Sequence, residues 1–370
     1  MLEMNRRTWL AGMGLTLSAA LLDVSLGVAA AEDASKISLS LNENPFGPSP
    51  RAVEAISKEL SQLARYNTEE RTQQLIDVIA AKEQVSPEQI VLGEILEPLG
   101  VKLGLHGGAG GEFIYSVPGY TALVDAATSV GGRAVMVPLD AKLRNDLPAI
   151  EAKVNAKTRA VFLVEPHNPS GTVSEIAALK QFLRDVSQRA LVIVDEAYLE
   201  YSEDFATRSA VDLARAGANV LVFRTLAKVY GLAGLDIGYG IAPKPIADLL
   251  RSQGVGAPRS LNRLAVVAAI ASLQDQPFVD DVRRKVAVER NLWHQLLRSL
   301  KLRHSDAQGN FVFFDAKRPQ TEVRAALAQQ GIDIGRAFPS YDTWARITIG
   351  LPHENARARE AVKALFSSRW

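Results

Sequence analysis

The chain of 370 residues contains no cysteine, which removes disulfides, thiolate nucleophiles and Cys-ligated metal or iron–sulfur sites. Charge of one sign is lacking too. Its 42 Lys+Arg stand against 41 Asp+Glu, so the broad basic field that non-specific nucleic-acid binding needs is missing. With 26 Gly, 17 Pro and 47% hydrophobic residues the composition is neither low-complexity nor disordered. The five histidines, His106, His167, His294, His304 and His353, have no metal-ligand spacing, and there is no Gly-x-Ser-x-Gly elbow. No metal is expected. Gly107 to Gly111 precedes a strand pattern instead of following one, which reads as a turn and not as a dinucleotide loop. Val282-Arg-Arg-Lys285 reads as a solvated helix face, and His167 as a pocket-wall or turn residue.

What is present begins with a leader-like pattern, whose competing reading is a buried N-terminal helix. Arg6-Arg7 precedes a run of thirteen uncharged residues, Leu10 to Leu22, too short to span a bilayer, and Ala29-Ala30-Ala31 follows. This pattern reads as a signal peptide over residues 1–31, and the paired arginines resemble the twin-arginine export signal. The expectation is a periplasmic protein with no stable membrane anchor after cleavage. The competing placement is the cytoplasm.

From about Ile90 to Ala242, short β-branched runs (112–116, 134–137, 160–164, 191–194, 220–223 and 237–241) alternate with helical spacing at 122–130, 147–154 and 176–186. The unit is βαβ, so the class is α/β with a mostly parallel sheet sandwiched by helices. Leu191-Val-Ile-Val194 has no polar alternation, as a strand covered on both faces requires. After Pro258 the pattern becomes α+β, with helices at about 278–301, 321–330 and 354–366 and strands at 311–314 and 345–349. Asn-Pro and Gly-Pro at 44–48 mark an extended segment before a helix at 51–62.

In an open parallel sheet, ligands sit at the carboxyl ends of strands. Three consecutive strand ends carry Glu165-Pro-His-Asn168-Pro-Ser-Gly171, Asp195-Glu-Ala-Tyr198, and Arg224-Thr225-Leu-Ala-Lys228. Singly, each is explained by turn or cap chemistry. Together they form a convergent polar set that turns do not require.

With Leu41-Asn-Glu-Asn44-Pro-Phe-Gly-Pro48, Arg65-Tyr66, Pro118-Gly-Tyr120, Lys228-Val-Tyr-Gly-Leu-Ala-Gly234 and Arg346-Ile-Thr-Ile-Gly350, these residues resemble, in order, the histidinol-phosphate-aminotransferase-like enzymes. These are class I/II aminotransferases of pyridoxal-phosphate fold type I. The resemblance implies a cofactor, pyridoxal 5'-phosphate, whose aldehyde is taken by Lys228. A carboxylate, Asp195, would face the ring nitrogen, and Asn168 and Tyr198 the ring hydroxyl. It further implies Tyr120 stacked on the ring and Tyr66 reaching the cofactor phosphate of a second subunit in a homodimer. Arg346 would receive the substrate α-carboxylate through its planar fork, with Asn44 beside it and Arg336 meeting a distal anion. The partners implied are small molecules, an amino acid or amino alcohol phosphate and a 2-oxo acid. The expected division is a leader at 1–31, a small-domain segment at 32–61, a large cofactor domain at 62–257 and a small C-terminal domain at 258–370.

Departures accompany the match. Family members usually have Ser before the lysine and Arg eight residues after it, both on the cofactor phosphate, where this chain has Ala227 and Asp236. The phosphate-cradling turn is altered as well, to Leu92-Gly-Glu-Ile-Leu-Glu-Pro98. The expectation is that Asp236 turns away or pairs with a cation such as Arg224, leaving the phosphate to Thr225, Tyr66 and backbone donors. Two other readings use the same scaffold: a decarboxylase or lyase, and an exported binding protein without catalysis. Retention of buried polar groups at Lys228, Asp195, Asn168, Tyr198 and Arg346 speaks against the last.

Overall fold

A computed structural model describes residues 36–106 and 108–367, so the expected leader and Gly107 lie outside the described residues. Eleven strands are described: β1 (Ile37–Leu39), β2 (Ile90–Leu92), β3 (Glu112–Val117), β4 (Arg133–Pro138), β5 (Thr158–Val164), β6 (Leu191–Asp195), β7 (Val220–Thr225), β8 (Gly238–Ile241), β9 (Phe311–Asp315), β10 (Ile332–Ile334) and β11 (Trp344–Thr348). Seven of them form one sheet in the order β2-β8-β7-β6-β5-β3-β4. Only β8 runs against its neighbours; the others are parallel, as the βαβ pattern predicts.

Alternate residues of the central strands feed two separate cores. Val161, Leu163, Val192, Val194 and Val222 pack on one face with Leu179, Leu183 and Val186 of the helix Ile176–Ser187. Phe162, Val164, Ile193, Leu221 and Phe223 pack on the other with Leu99, Leu103, Leu123 and Ala127, from the helices Leu96–Leu105 and Ala122–Ser129. Both faces are therefore covered, which is why the sequence runs are continuous and not alternating.

Two smaller sheets take up the first described strand and the last three. β1 lies parallel to β10, and β9 pairs antiparallel with β11 in a register that sets Arg346 opposite Phe313. The helix Pro50–Glu59 starts where Ser49 accepts the Ala52 N–H at 3.2 Å with Pro at its first position. Six helices, Glu69–Glu83, Leu96–Leu105, Phe205–Arg208, Val211–Arg215, Lys244–Ser252 and Arg263–Leu273, are not marked by the sequence pattern. Arg263–Leu273 shows the reason. It is apolar nearly all round, with Ala265, Val266, Ala268, Ala269, Ile270 and Leu273 buried, so its sequence has no polar face to reveal a period. Among the described residues no helix is long and apolar enough to cross a membrane.

Candidate active site

The strand order turns at β3, which has β4 on one side and β5 on the other, and the loops leaving β3 and β5 diverge over a crevice. Tyr120 follows β3 and Asn168 follows β5. Asp195 ends β6, and Thr225 ends β7 just before Lys228. Together with Glu94, Tyr198, Ala227 and Asp236 they line a cavity of about 200 Å³, walled by Val164 and Phe223. A larger hollow of about 790 Å³ shares Glu94 and Asp236 with it.

Each polar group has a definite state. Asp195 is buried, and its carboxylate accepts the Ala197 N–H at 3.0 Å. Burial pushes its pKa up to about 7, with the nearby Glu94 charge adding to the rise while Lys228 opposes it. A buried carboxyl at the end of an apolar strand is thus short of a cationic partner. The Tyr198 hydroxyl accepts from the Asn42 amide at 3.2 Å and the Asn168 amide at 3.5 Å. With both lone pairs engaged, its own proton is left for a ligand. Its ring is held edge-on against Phe311, centroids 5.1 Å apart, and Lys228 Nζ lies 5.8 Å over it. Lys228 Nζ donates to the Leu41 carbonyl at 3.4 Å.

Arg346 is buried on β11. It donates to Asn168 Oδ1 and to the Ser40 carbonyl, each at 2.7 Å, and lies against the rings of Phe311 and Phe338. Its Nε–H is buried with no partner. Burial lowers its pKa, and nearby Arg336 pushes the same way. A guanidinium in this position has donors to spare for an anion arriving beside Asn168.

The remaining expected site residues lie elsewhere. Asn44 does not line the cavity. Its amide donates to Val229 O at 2.9 Å and Gly47 O at 3.3 Å, and its oxygen accepts the Phe46 N–H, so it ties the Asn-Pro-Phe-Gly loop to the loop after Lys228. Gly231 completes that junction: at φ 71°, a Cβ there would sit 2.3 Å from the Gly47 carbonyl oxygen. Arg336 is exposed and stacks on Phe338 at 4.9 Å. Tyr66 is 77% exposed, away from the Lys228 cavity of its own chain.

Two expectations at the phosphate end are corrected. Arg224 is not a partner for Asp236. It is buried and bound to Glu196 at 2.9 Å, Glu83 at 3.3 Å and Glu200 at 3.5 Å, because successive residues of a strand point to opposite faces. Asp236 is exposed, yet it lines the cavity beside Glu94, so it is not turned fully away. Nor is Thr225 free, because its hydroxyl donates to Glu94 at 3.0 Å and accepts the Ala227 N–H at 3.1 Å.

Sequence reasoning did not single out Glu94 and Asn42 as site residues. Asn42 had a usable signal: it lies in the Leu-Asn-Glu-Asn motif and adopts φ 57°, which Asn tolerates. His167 sits where expected, in a recess beside Tyr120, its Nδ1 3.0 Å from the Ser170 hydroxyl. Burial holds its pKa down to about 3, so the ring is neutral.

A lysine amine able to take up a carbonyl, a buried acid and a phenol, gathered at the carboxyl ends of a doubly covered parallel sheet, define a candidate enzyme site. Residues 34–365 match the family model for aminotransferase class I and II, and the chain belongs to that family. It is 37% identical over 339 residues to the histidinol-phosphate aminotransferase of Moorella thermoacetica, covering 90% of this chain and 86% of that protein. It is 35% identical over 342 residues to histidinol-phosphate aminotransferase 2 of Pseudomonas fluorescens, covering 91% and 90%. The fold is similar to the crystal structure of the Sinorhizobium meliloti histidinol-phosphate aminotransferase in complex with pyridoxal 5'-phosphate. The TM-score is 0.79 at 27% identity, over 89% of this chain and 91% of that one. The chain is accordingly a pyridoxal-phosphate-dependent aminotransferase acting on small molecules.

Proposed function

We propose that this aminotransferase moves an amino group between an anionic donor and a 2-oxo acid, the donor being an α-amino acid or an amino alcohol phosphate of the histidinol-phosphate kind. The observation that carries the reading is the buried Arg346, with a free Nε–H and a direct hydrogen bond to the cavity residue Asn168. The names of the relatives support the phosphate-bearing donor.

The ring end of the cavity suits the cofactor, because a buried acid lacking a cationic partner and a tyrosine proton with no acceptor await a ring nitrogen and a ring hydroxyl. Pyridoxal phosphate, when bound, supplies the aldehyde that takes up the amino group and the ring that withdraws electrons from the α-carbon. Lys228 Nζ removes and returns the proton at that carbon. Asp195 holds the ring nitrogen's proton, Tyr198 and Asn168 orient the ring, and Tyr120 covers it. Arg346 fixes the substrate anion so that the α-carbon lies toward Lys228, and Asn44 positions the Lys228 loop from outside.

Exposed Tyr66 fits a homodimer in which it reaches the partner's cavity, and light scattering on the purified protein tests this. Residues 1–31 are proposed to export the enzyme to the periplasm; cell fractionation of a chain carrying Arg6→Lys and Arg7→Lys should then find it in the cytoplasm. The reaction is tested by incubating the enzyme with amino donors and 2-oxoglutarate. Keto product and glutamate in equal amounts are expected, whereas release of carbon dioxide or ammonia would place the enzyme among decarboxylases or lyases.

A further inference from the structure

The two ends of the Lys228 cavity differ in chemistry. At the end where the family resemblance places the cofactor phosphate, the lining groups are Glu94, Thr225, Ala227 and Asp236. Among the described residues that line the cavity, Lys228 is the only cation. The Thr225 proton is already given to Glu94, at 3.0 Å. Asp236 sits at φ 49°, a left-handed conformation that Asp and Asn adopt more readily than arginine, so the local turn helps to keep an acid there. Arg224, one residue before Thr225, is taken up by Glu83, Glu196 and Glu200. Among this chain's own side chains at this end, a phosphate dianion meets two acidic groups and no free hydroxyl.

The groups facing Glu94 are Thr225 and Asp236 from the two sides of the Lys228 loop, Lys228 itself, Glu97 in the first turn of the helix Leu96–Leu105 that follows it, and Asp195 and Tyr120 across the cavity. Burial first, and the Asp236 charge after it, push Glu94 up to about 7, against the Thr225 hydrogen bond and the pull of Lys228. A carboxyl in that range takes a proton at little cost near neutrality, and a protonated carboxyl is a hydrogen-bond donor.

We propose that Glu94 takes up a proton from solvent when the phosphorylated cofactor binds and donates it in a hydrogen bond to the phosphate, in place of the absent serine and arginine. The inference rests on the reading of this cavity as the cofactor site. Affinity for the phosphorylated aldehyde is then coupled to pH, whereas pyridoxal, which has the ring and aldehyde but no phosphate, shares the ring's titrating groups and serves as the internal reference; the phosphate's own second ionisation, at about 6, lies below the range where the coupling is read.

The test uses the full chain freed of cofactor, titrated with pyridoxal phosphate and separately with pyridoxal from pH 6 to 8.5, reading the Lys228-dependent visible absorption. The ratio of the two affinities is expected to fall as pH rises, approaching tenfold per unit above about pH 7, the slope of one linked proton. Glu94→Gln keeps an acceptor for Thr225 and adds a permanent donor, so it should flatten the ratio and raise it about tenfold at pH 8. Asp236→Asn, compatible with the left-handed turn, should raise the ratio at every pH and leave a slope. A flat ratio in the wild-type protein, or an unchanged slope in Glu94→Gln, overturns the inference while leaving the cofactor site standing. If neither aldehyde binds, the site reading falls and this inference with it.

Discussion

Arg224 and Thr225 are consecutive on β7 and face opposite ways, and the two sides they face treat negative charge differently. On one side three carboxylates, Glu83, Glu196 and Glu200, surround a single buried guanidinium. Their charges raise the Arg224 pKa further, although burial alone would lower it. On the other side Glu94 and Asp236 share a cavity with no guanidinium, and only a hydroxyl binds Glu94. The end of β6 repeats the division, with its last residue Asp195 in the cavity and the next, Glu196, in the ionic cluster. The cluster is closed and structural, since its donors and acceptors satisfy one another. The cavity is left electrostatically incomplete, as a binding site must be if a ligand is to supply the missing partners.

Breaking the cavity at its reactive group should have the largest effect. Lys228→Ala is expected to abolish the visible absorption with pyridoxal phosphate and to lower transamination by about 10³-fold or more while the protein stays folded. Residual activity within tenfold of wild type would remove Lys228 from its proposed role. Breaking the cluster should act on stability instead. Arg224→Met leaves Glu196 and its neighbours buried without a countercharge, at a cost of about 3–5 kcal/mol in urea unfolding. A loss below about 1 kcal/mol would mean that the carboxylates find other partners.

The unpaired acid Asp195 gives a pH signature to the cofactor-free protein. Its folded pKa of about 7 lies above its ordinary value of 3.8, so the folded state holds a proton that the unfolded state has lost between those values. The Asp195 contribution to stability should be fully present below about pH 3.8 and be lost as pH rises through about 7, an amount on the order of a few kcal/mol. Asp195→Asn should remove that part of the slope, and thermal melts at pH 5 and pH 8 measure it. An identical slope in the variant would show that the acid is better solvated than its burial implies. The smallest effect sharpens the substrate side of the comparison. Arg346→Lys keeps the charge and loses the fork, so KM for the anionic substrate should rise about tenfold with a lesser change in kcat.

Much of this was legible beforehand where local rules apply. The strands 112–116, 160–164 and 191–194 announced themselves because both their faces are buried, and the polar residues just after them mark where a parallel sheet exposes its carboxyl ends. The helix Arg263–Leu273 did not, because a helix buried all round has no period to read. The pairing of Arg224 was misjudged for a different reason. Proximity in sequence to Thr225 and Lys228 suggested the cavity, but strand alternation aims Arg224 at Glu83, a residue 141 positions away.

By itself the sequence determined the α/β class and the succession of strand ends that carry Asn168, Asp195 and Lys228, since these follow from hydrophobic period and order along the chain. Only the tertiary structure decided which charges are answered. Whether a carboxylate meets a guanidinium or an empty cavity depends on partners brought from distant segments. Glu94 and Thr225 are separated by 131 positions, yet their hydrogen bond sets the chemistry at one end of the site.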